Sequence, residues 1–195
     1  MHCFVKRIPY KPFFLQQCSF STLRIGVDEA GRGAVLGPLV ISSILLDDTE
    51  EQELKKLGIK DSKQMTSQKR FQCYEVILEK AIRSYSFHIS SLTIDKQRQL
   101  GLSLNRIEEN HIFNLLHRFQ DISVDTVILD AFVSKNNRLE VEATKLFPNS
   151  KIICEFHADA TYPCVAAASV IAKVFCFLFH FYYLGRERSC NASII

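Results

Sequence analysis

Two adjacent carboxylates, Asp28 and Glu29, stand at the end of an apolar segment and shortly before the turn Gly31-Arg32-Gly33. Neighbouring carboxylates repel each other, and each costs free energy when it is removed from water. A chain that keeps both acids where a strand enters a core therefore indicates a bound cation. Because no His or Cys ligand lies nearby, oxygen donors of this kind favour Mg²⁺ or Mn²⁺ over Zn²⁺.

The composition is that of one soluble globular domain. The chain has 195 residues, of which 47% are hydrophobic and 23% charged, enough for a substantial core. The net charge of +3 is too small to indicate nucleic-acid binding by itself. The seven cysteines form no Cys-x-x-Cys pair. An odd count without metal-ligand spacing predicts free thiols and an intracellular, cytoplasmic protein.

Residues 1–22 are predicted to be an extension that precedes the domain. The first 27 residues contain no Asp or Glu but four basic residues. Such a pattern is compatible with an organelle transit peptide, although a disordered or loosely packed extension is the simpler interpretation.

Hydrophobic periodicity predicts a single α/β domain. Strands are expected at 23–28, 38–46, 84–90, 124–129 and 151–155, and helices at 67–82, at 104–119 and from 162 onward. The early strands are joined by a short connection and are expected to be antiparallel, whereas the later ones, separated by helices, are expected to be parallel. Asp28 and Asp130 both end strands, so their side chains converge if those strands are neighbours.

Four acids are candidate metal ligands: Asp28, Glu29, Asp130 and Asp159. Each has an ordinary explanation by itself, since Asp28 can pair with Arg32, Asp130 can cap a strand end and Asp159 can cap the helix that follows. Together, four oxygen donors suit two divalent ions about 4 Å apart, the arrangement used for in-line phosphoryl chemistry.

Two polar segments are candidates for substrate contact. The turn Gly31-Arg32-Gly33 can bring backbone N–H groups close to a sugar-phosphate chain, or it can simply be a tight turn with a surface cation. Lys63, in Asp61-Ser62-Lys63, can contact a phosphate or be a solvated loop lysine. His111 lies on the apolar face of its helix and is interpreted as a core or boundary residue.

A set of segments, in this order, resembles ribonuclease HII, the type 2 ribonuclease H. The segments are residues 28–33 (DEAGRG), 37–38 (GP), 61–63 (DSK), 105–108 (NRIE), Asp130 and 157–174 (HADATYPCVAAASVIAKV). The resemblance runs from about residue 24 to residue 174. The His-Ala-Asp-x-x-Tyr-Pro pattern is nearer the archaeal and eukaryotic branch than the bacterial one.

The resemblance implies a ribonuclease H-like α/β fold over residues 23–174, with a mixed central sheet flanked by helices. It implies cleavage of the RNA strand of RNA–DNA hybrids, and of single ribonucleotides embedded in duplex DNA, with Mg²⁺ or Mn²⁺. The four acids then fall on the family's metal ligands, and Gly31, Arg32 and Gly33 on the loop that reads the ribose 2′-OH. The resemblance also implies that Lys63 contacts the nucleic-acid backbone. A eukaryotic source would imply accessory subunits and a nuclear location.

The tail, residues 175–195, departs from the family. An apolar run stands where the family has a Gly-Tyr-Pro segment whose tyrosine helps to sense the RNA–DNA junction. This predicts a truncated or altered form, and the alternative function is hybrid binding with weak or no cleavage. A third interpretation is a membrane anchor over 163–184, which is long enough to span a bilayer, although Lys173 near its middle opposes insertion.

Overall fold

The structure is a computed structural model that describes residues 21–33, 37–59, 65–130 and 137–191. Nearly all of the predicted N-terminal extension, and Lys63 with its segment, lie outside the described residues.

One mixed sheet forms the centre of the described part of the chain. It is built from five strands: β1 (Leu23–Ala30), β2 (Leu39–Asp47), β3 (Arg83–Ile89), β4 (Thr126–Asp130) and β5 (Lys151–Glu155). The strand order is β3-β2-β1-β4-β5. β2 is antiparallel to both β1 and β3, whereas β4 is parallel to both β1 and β5. The five predicted strands are therefore present, and the antiparallel β1–β2 pair and the parallel β4–β5 pair have the expected directions. The β2–β3 pair is antiparallel although helices separate its strands, and β1 continues beyond Asp28 to Ala30.

Helices flank both faces of this sheet. They are α1 (Asp48–Lys56), α2 (Ser67–Lys80), α3 (Ser91–Gln99), α4 (Leu104–Leu116), α5 (Asn137–Leu146), α6 (Ala158–Thr161) and α7 (Pro163–Asn191). A single 3₁₀ turn, His117–Phe119, extends α4. A mixed central sheet with helices on both faces is the α/β arrangement that the sequence predicted.

Periodicity did not predict α1 and α3, because these helices bury few side chains. α1 buries only Glu51 and Leu54, and α3 buries none. Their starts are set instead by capping: Asp47 Oδ1 accepts the N–H of Glu50, and Ser90 Oγ accepts the N–H of Thr93. A side-chain oxygen at this position satisfies a backbone donor that has no partner within the helix.

The alternation of β1 divides the core into two layers. Ile25 and Val27 face a cluster that includes α4 and α5, whereas Gly26 faces α7. A Cβ on Gly26 would stand 2.3 Å from the carbonyl carbon of Cys164, so glycine is what allows α7 to lie this close to the sheet. α7 is thereby held against the strand that carries Asp28 and Glu29.

The segment considered above as a membrane anchor forms the first part of α7. The described helices, α7 included, all fall short of the combination of length and apolarity that a membrane span requires. Residue 174, the predicted end of the domain, lies inside α7.

Candidate active site

An open cavity of about 470 Å³ lies near the carboxyl ends of β1 and β4. All four acids selected from the sequence line it: Asp28, Glu29, Asp130 and Asp159. Three cations line it as well: Arg32, Arg70 and Lys173. The pairing of β1 with β4 explains part of this convergence, because Val27 lies opposite Leu129 and an acid follows each of them.

Strand alternation sends the two adjacent acids to opposite faces of the sheet. Asp28 shares its face with Gly26 and is hydrogen-bonded by the Ser169 hydroxyl of α7. Glu29 shares its face with Ile25 and Val27, and the nearby Glu108 of α4 acts on it electrostatically. The carboxylates therefore have different surroundings, although they are neighbours in sequence.

Asp28 is only 5% exposed, and its surroundings disfavour its charged form. Burial raises the pKa of Asp28 well above its usual value, and the charges of Glu29 and Asp130 add to the effect. The Ser169 hydrogen bond and the Lys173 charge act in the opposite direction. Lys173 Nζ also donates to Ser169 Oγ at 2.5 Å, so Ser169 stands between an ammonium group and this carboxylate.

The surroundings of Glu29 also disfavour its charged form. Burial, with the charges of Glu108 and Asp130, raises the pKa of Glu29 to about 7, while Arg32 opposes the shift. Its backbone N–H donates to Asp28 Oδ1 at 2.7 Å. Both acids of the pair would therefore be stabilised by additional positive charge in the cavity.

Asp130 and Asp159 are held by one turn. The N–H of Ala158 donates to Asp130 Oδ1 at 3.0 Å, and Asp159 follows in the first turn of α6, where it is 4% exposed. His157 introduces this turn with a left-handed backbone, at φ +55°. The turn therefore connects the acid that ends β4 with the one that begins α6.

The glycine turn lies at the edge of the cavity. Gly31 has φ +86°, and a Cβ there would be 2.4 Å from the Pro38 carbonyl oxygen, so no other residue fits without a shift of the backbone. Between Gly31 and Gly33, Arg32 reaches to α4: its Nη2 donates to Asn105 Oδ1 at 2.5 Å, and its Nε lies 3.3 Å from Glu108 Oε1.

Several residues around the site had no assigned role in the sequence: Asn105, Glu108, Ser169 and Lys173. They belong to two of the segments that carry the family resemblance, and that was the available signal. Their spacing along the chain does not show that they face the same cavity as Asp28. His111 fits its predicted boundary role, because it packs edge-on against Phe87 with ring centroids 5.9 Å apart.

The donor chemistry fits a hard divalent cation. Within the described ranges, no three His, Cys, Asp or Glu side chains are arranged as a ready-made ligand set for one ion. Mg²⁺, however, is usually held by one or two carboxylates together with water and substrate phosphates. Four oxygen-donor acids, two of which are disfavoured as anions by their surroundings, provide such partial ligand sets.

Comparisons with known proteins agree with this architecture. The sequence matches the family model for ribonuclease HII over residues 25–188. It is 39% identical over 150 residues to ribonuclease HII of Methanothermobacter thermautotrophicus, which covers 77% of this chain and 71% of that protein.

Solved structures show the same fold. The fold matches the PCNA:RNase HII complex from Archaeoglobus fulgidus at a TM-score of 0.73 and 30% identity, covering 85% of this chain and 77% of that one. It also matches Bst-RNase HIII in complex with Mn²⁺ at a TM-score of 0.70 and 22% identity, covering 86% of this chain and 55% of that one. The latter likeness is one of fold alone.

Proposed function

This chain belongs to the ribonuclease HII family and is therefore a ribonuclease H endonuclease, and we propose that it hydrolyses the RNA strand of RNA–DNA hybrids and single ribonucleotides embedded in duplex DNA. The observation that carries this proposal is the convergence of four acids on one cavity. These acids come from β1, β4 and α6, so their convergence depends on the fold.

We further propose that the four acids hold two divalent ions, Mg²⁺ or Mn²⁺. When bound, such a pair supplies hydroxide from water and stabilises the leaving oxygen of the phosphodiester. Asp28 and Glu29 would hold the ions on β1, while the Ala158 N–H keeps Asp130 oriented toward the cavity. Ser169 fixes Asp28 from the α7 side, and Lys173 keeps a positive charge nearby.

The glycine turn is the proposed reader of the sugar-phosphate chain. Gly31 and Gly33 have no side chains to obstruct the approach of a ribose, and the 2′-OH is the group that distinguishes RNA from DNA there. Arg32, Arg70 and Lys173 line the cavity and give it positive charge for phosphates. Lys63 lies outside the described residues, and its contact with the nucleic-acid backbone stays a prediction.

A cleavage assay tests the proposal directly. Three labelled duplexes would be compared: an RNA–DNA hybrid, a DNA duplex with one ribonucleotide, and the same duplex in DNA alone. We expect cuts in the first two with Mg²⁺ or Mn²⁺, no cuts after EDTA treatment, and no cuts in the third. Binding of the hybrid without any cleavage would favour the alternative of an inactive hybrid-binding form.

The intracellular location is retained as a proposal. It is supported by the described cysteines Cys73, Cys154, Cys164 and Cys176, all of which are free thiols. Protein partners are proposed as well. The Archaeoglobus fulgidus relative was solved as a complex with PCNA, and accessory subunits are expected if the source is eukaryotic. Fractionation of cells, followed by affinity purification of the full chain, would test both.

A further inference from the structure

Glu108 is a buried carboxylate that faces the glycine turn. Its side chain is fully buried in α4, where an isolated charge would be strongly unfavourable. Among the described residues, neither of its oxygens has a hydrogen-bond partner, and its ion-pair partner is Arg32, with Nε 3.3 Å from Oε1. The cation that compensates Glu108 therefore comes from the loop at the edge of the cavity.

Arg32 contacts two side chains that lie about one helical turn apart on α4. Nη2 donates to Asn105 Oδ1, while Nε faces Glu108. Residues three apart on a helix lie on the same face, so Asn105 and Glu108 present one surface to the guanidinium. The planar fork of arginine can engage both, which the ammonium group of lysine cannot do with the same geometry.

Arg106 and Glu109, which follow Asn105 and Glu108 along α4, pair with each other and with α5. Arg106 pairs with Glu109 over 3.4 Å, and Glu109 also pairs with Arg138 of α5. One turn of α4 thus carries two ion-pair clusters with different partners, one directed to the glycine turn and the other to α5. Arg106 is for this reason a matched control for its neighbours.

The two glycines give the 31–33 turn a wide choice of backbone conformations. Gly31 and Gly33, on either side of Arg32, have φ +86° and +76°, and glycine has the widest choice of backbone conformations to lose. Fixing the side chain between them limits that freedom before the substrate arrives, and a binding loop that is ordered in advance loses less entropy on binding.

We propose that Asn105 and Glu108 are positioning residues that clamp Arg32 and so hold the 31–33 turn in its substrate-binding conformation. This inference rests on the proposed function, because it assigns the turn to substrate. Two edges of the guanidinium face α4, so Arg32 orders the loop in addition to giving the cavity positive charge.

Binding and cleavage kinetics test the clamp. E108Q, N105A and the control R106A would be compared with the unaltered chain on the single-ribonucleotide duplex at pH 8. Losing one charge-assisted contact is expected to raise KM roughly tenfold in E108Q and N105A, with kcat changed less than about threefold. R106A is expected to keep both values. Equal KM values for E108Q and R106A would overturn the proposal.

A double-mutant cycle separates the clamp from a general loss of stability. If Glu108 acts through Arg32, R32A with E108Q raises KM no more than R32A alone does. Fully additive effects would show that Glu108 acts by another route. E108Q preserves the size of the side chain, so the comparison stays informative even if N105A folds poorly.

Hydrogen exchange tests the clamp without substrate. In the free protein, the amides of Gly31 and Gly33 are expected to exchange about tenfold faster in E108Q than in R106A. Unchanged exchange would overturn the clamp. If the unaltered chain cuts none of the duplexes, the proposed function fails, and the exchange rates still decide whether α4 holds the loop.

Discussion

The backbone N–H of Ala158 donates to Asp130 Oδ1 at 3.0 Å, so the turn after β5 orients the acid that ends β4. The left-handed conformation of His157 makes this turn, and Asp159 follows within it. Half of the candidate metal-binding acids thus depend on one turn. Its backbone geometry belongs to the site as much as the carboxylates do.

The conformation of His157 predicts which substitutions the turn accepts. His157→Val places a β-branched residue at φ +55° and is expected to reduce the free energy of unfolding by roughly 1–2 kcal/mol. The cleavage rate should fall with it, because Asp130 loses its orienting donor. His157→Asn is the control, since Asn tolerates this conformation. Chemical denaturation and the cleavage assay check both, and equal stability of the Val and Asn variants would contradict the prediction.

Neutralising Asp28 or Asp130 should strongly reduce cleavage, and neutralising Asp28 should also stabilise the metal-free protein. Asp28→Asn and Asp130→Asn are each expected to lower kcat by about 10³-fold or more, in keeping with the loss of a principal electrostatic group. Asp28→Asn should also raise the melting temperature in EDTA, because burial disfavours the Asp28 anion. Asp121→Asn, on an exposed acid paired with Arg83, is the matched control and should leave kcat and the melting temperature unchanged. If Asp28→Asn cuts normally, the metal-site assignment is wrong.

The raised pKa values predict how stability depends on pH. The pKa of Glu29 and that of Glu108 rise from 4.5 to about 7, chiefly through burial. At these two groups the folded state therefore binds protons more tightly than the unfolded chain, so their contribution to the stability of the metal-free protein should fall as pH rises from about 4.5 to 7. The loss should level off above that range. A shift of this size corresponds to roughly 3 kcal/mol for each group.

Added metal should reverse this trend. Because a cation favours the ionised carboxylates, Mg²⁺ or Mn²⁺ is expected to raise the melting temperature more at pH 8 than at pH 5.5. Thermal melts with EDTA and with each metal across this range provide the measurement. Glu29→Gln should remove the contribution of Glu29 in EDTA, and an identical dependence of stability on pH in Glu29→Gln and the unaltered chain would contradict the assignment.

The two glycines of the turn should respond differently to alanine. A Cβ at Gly31 would meet the Pro38 carbonyl oxygen at 2.4 Å, whereas a Cβ at Gly33 would have no atom of the described residues within 4 Å. Both positions have positive φ, so Gly33→Ala should cost about 1 kcal/mol and Gly31→Ala at least twice as much. Urea denaturation of the two variants measures this. Similar values for both would show that the loop moves away from Pro38 without cost.

Local patterns predicted much of the fold, for identifiable reasons. Strands β1, β4 and β5 were recognised because their apolar runs end abruptly at polar residues, and the short connection between β1 and β2 indicated that this pair is antiparallel. The connection between β2 and β3 contains two helices, so its length did not indicate that this pair is antiparallel. α1 and α3 were missed because Asp47 and Ser90 define them by capping rather than by a buried stripe. Such helices leave little hydrophobic periodicity to detect.

The candidate site, like the fold, could be predicted only in part from the sequence. The sequence predicts the chemistry of the four acids, because carboxylates at the ends of apolar strands and at a helix start need a partner of opposite charge. These acids are Asp28, Glu29, Asp130 and Asp159. Their convergence required the pairing of β1 with β4, which local periodicity cannot specify. The roles of Ser169 and Glu108 required even more, since each comes from a helix far away in the chain.

The sequence by itself determined the types of donor, the glycines that allow the turn and the alternation along β1. Only the tertiary structure decided what each side of β1 meets: α7, with Ser169 and Lys173, beside Asp28, and α4, with Glu108, beside Glu29. The physical reason is that side-chain direction along a strand follows from local geometry, whereas the neighbours on each face depend on strand order and helix packing. Those are set by contacts between distant parts of the chain.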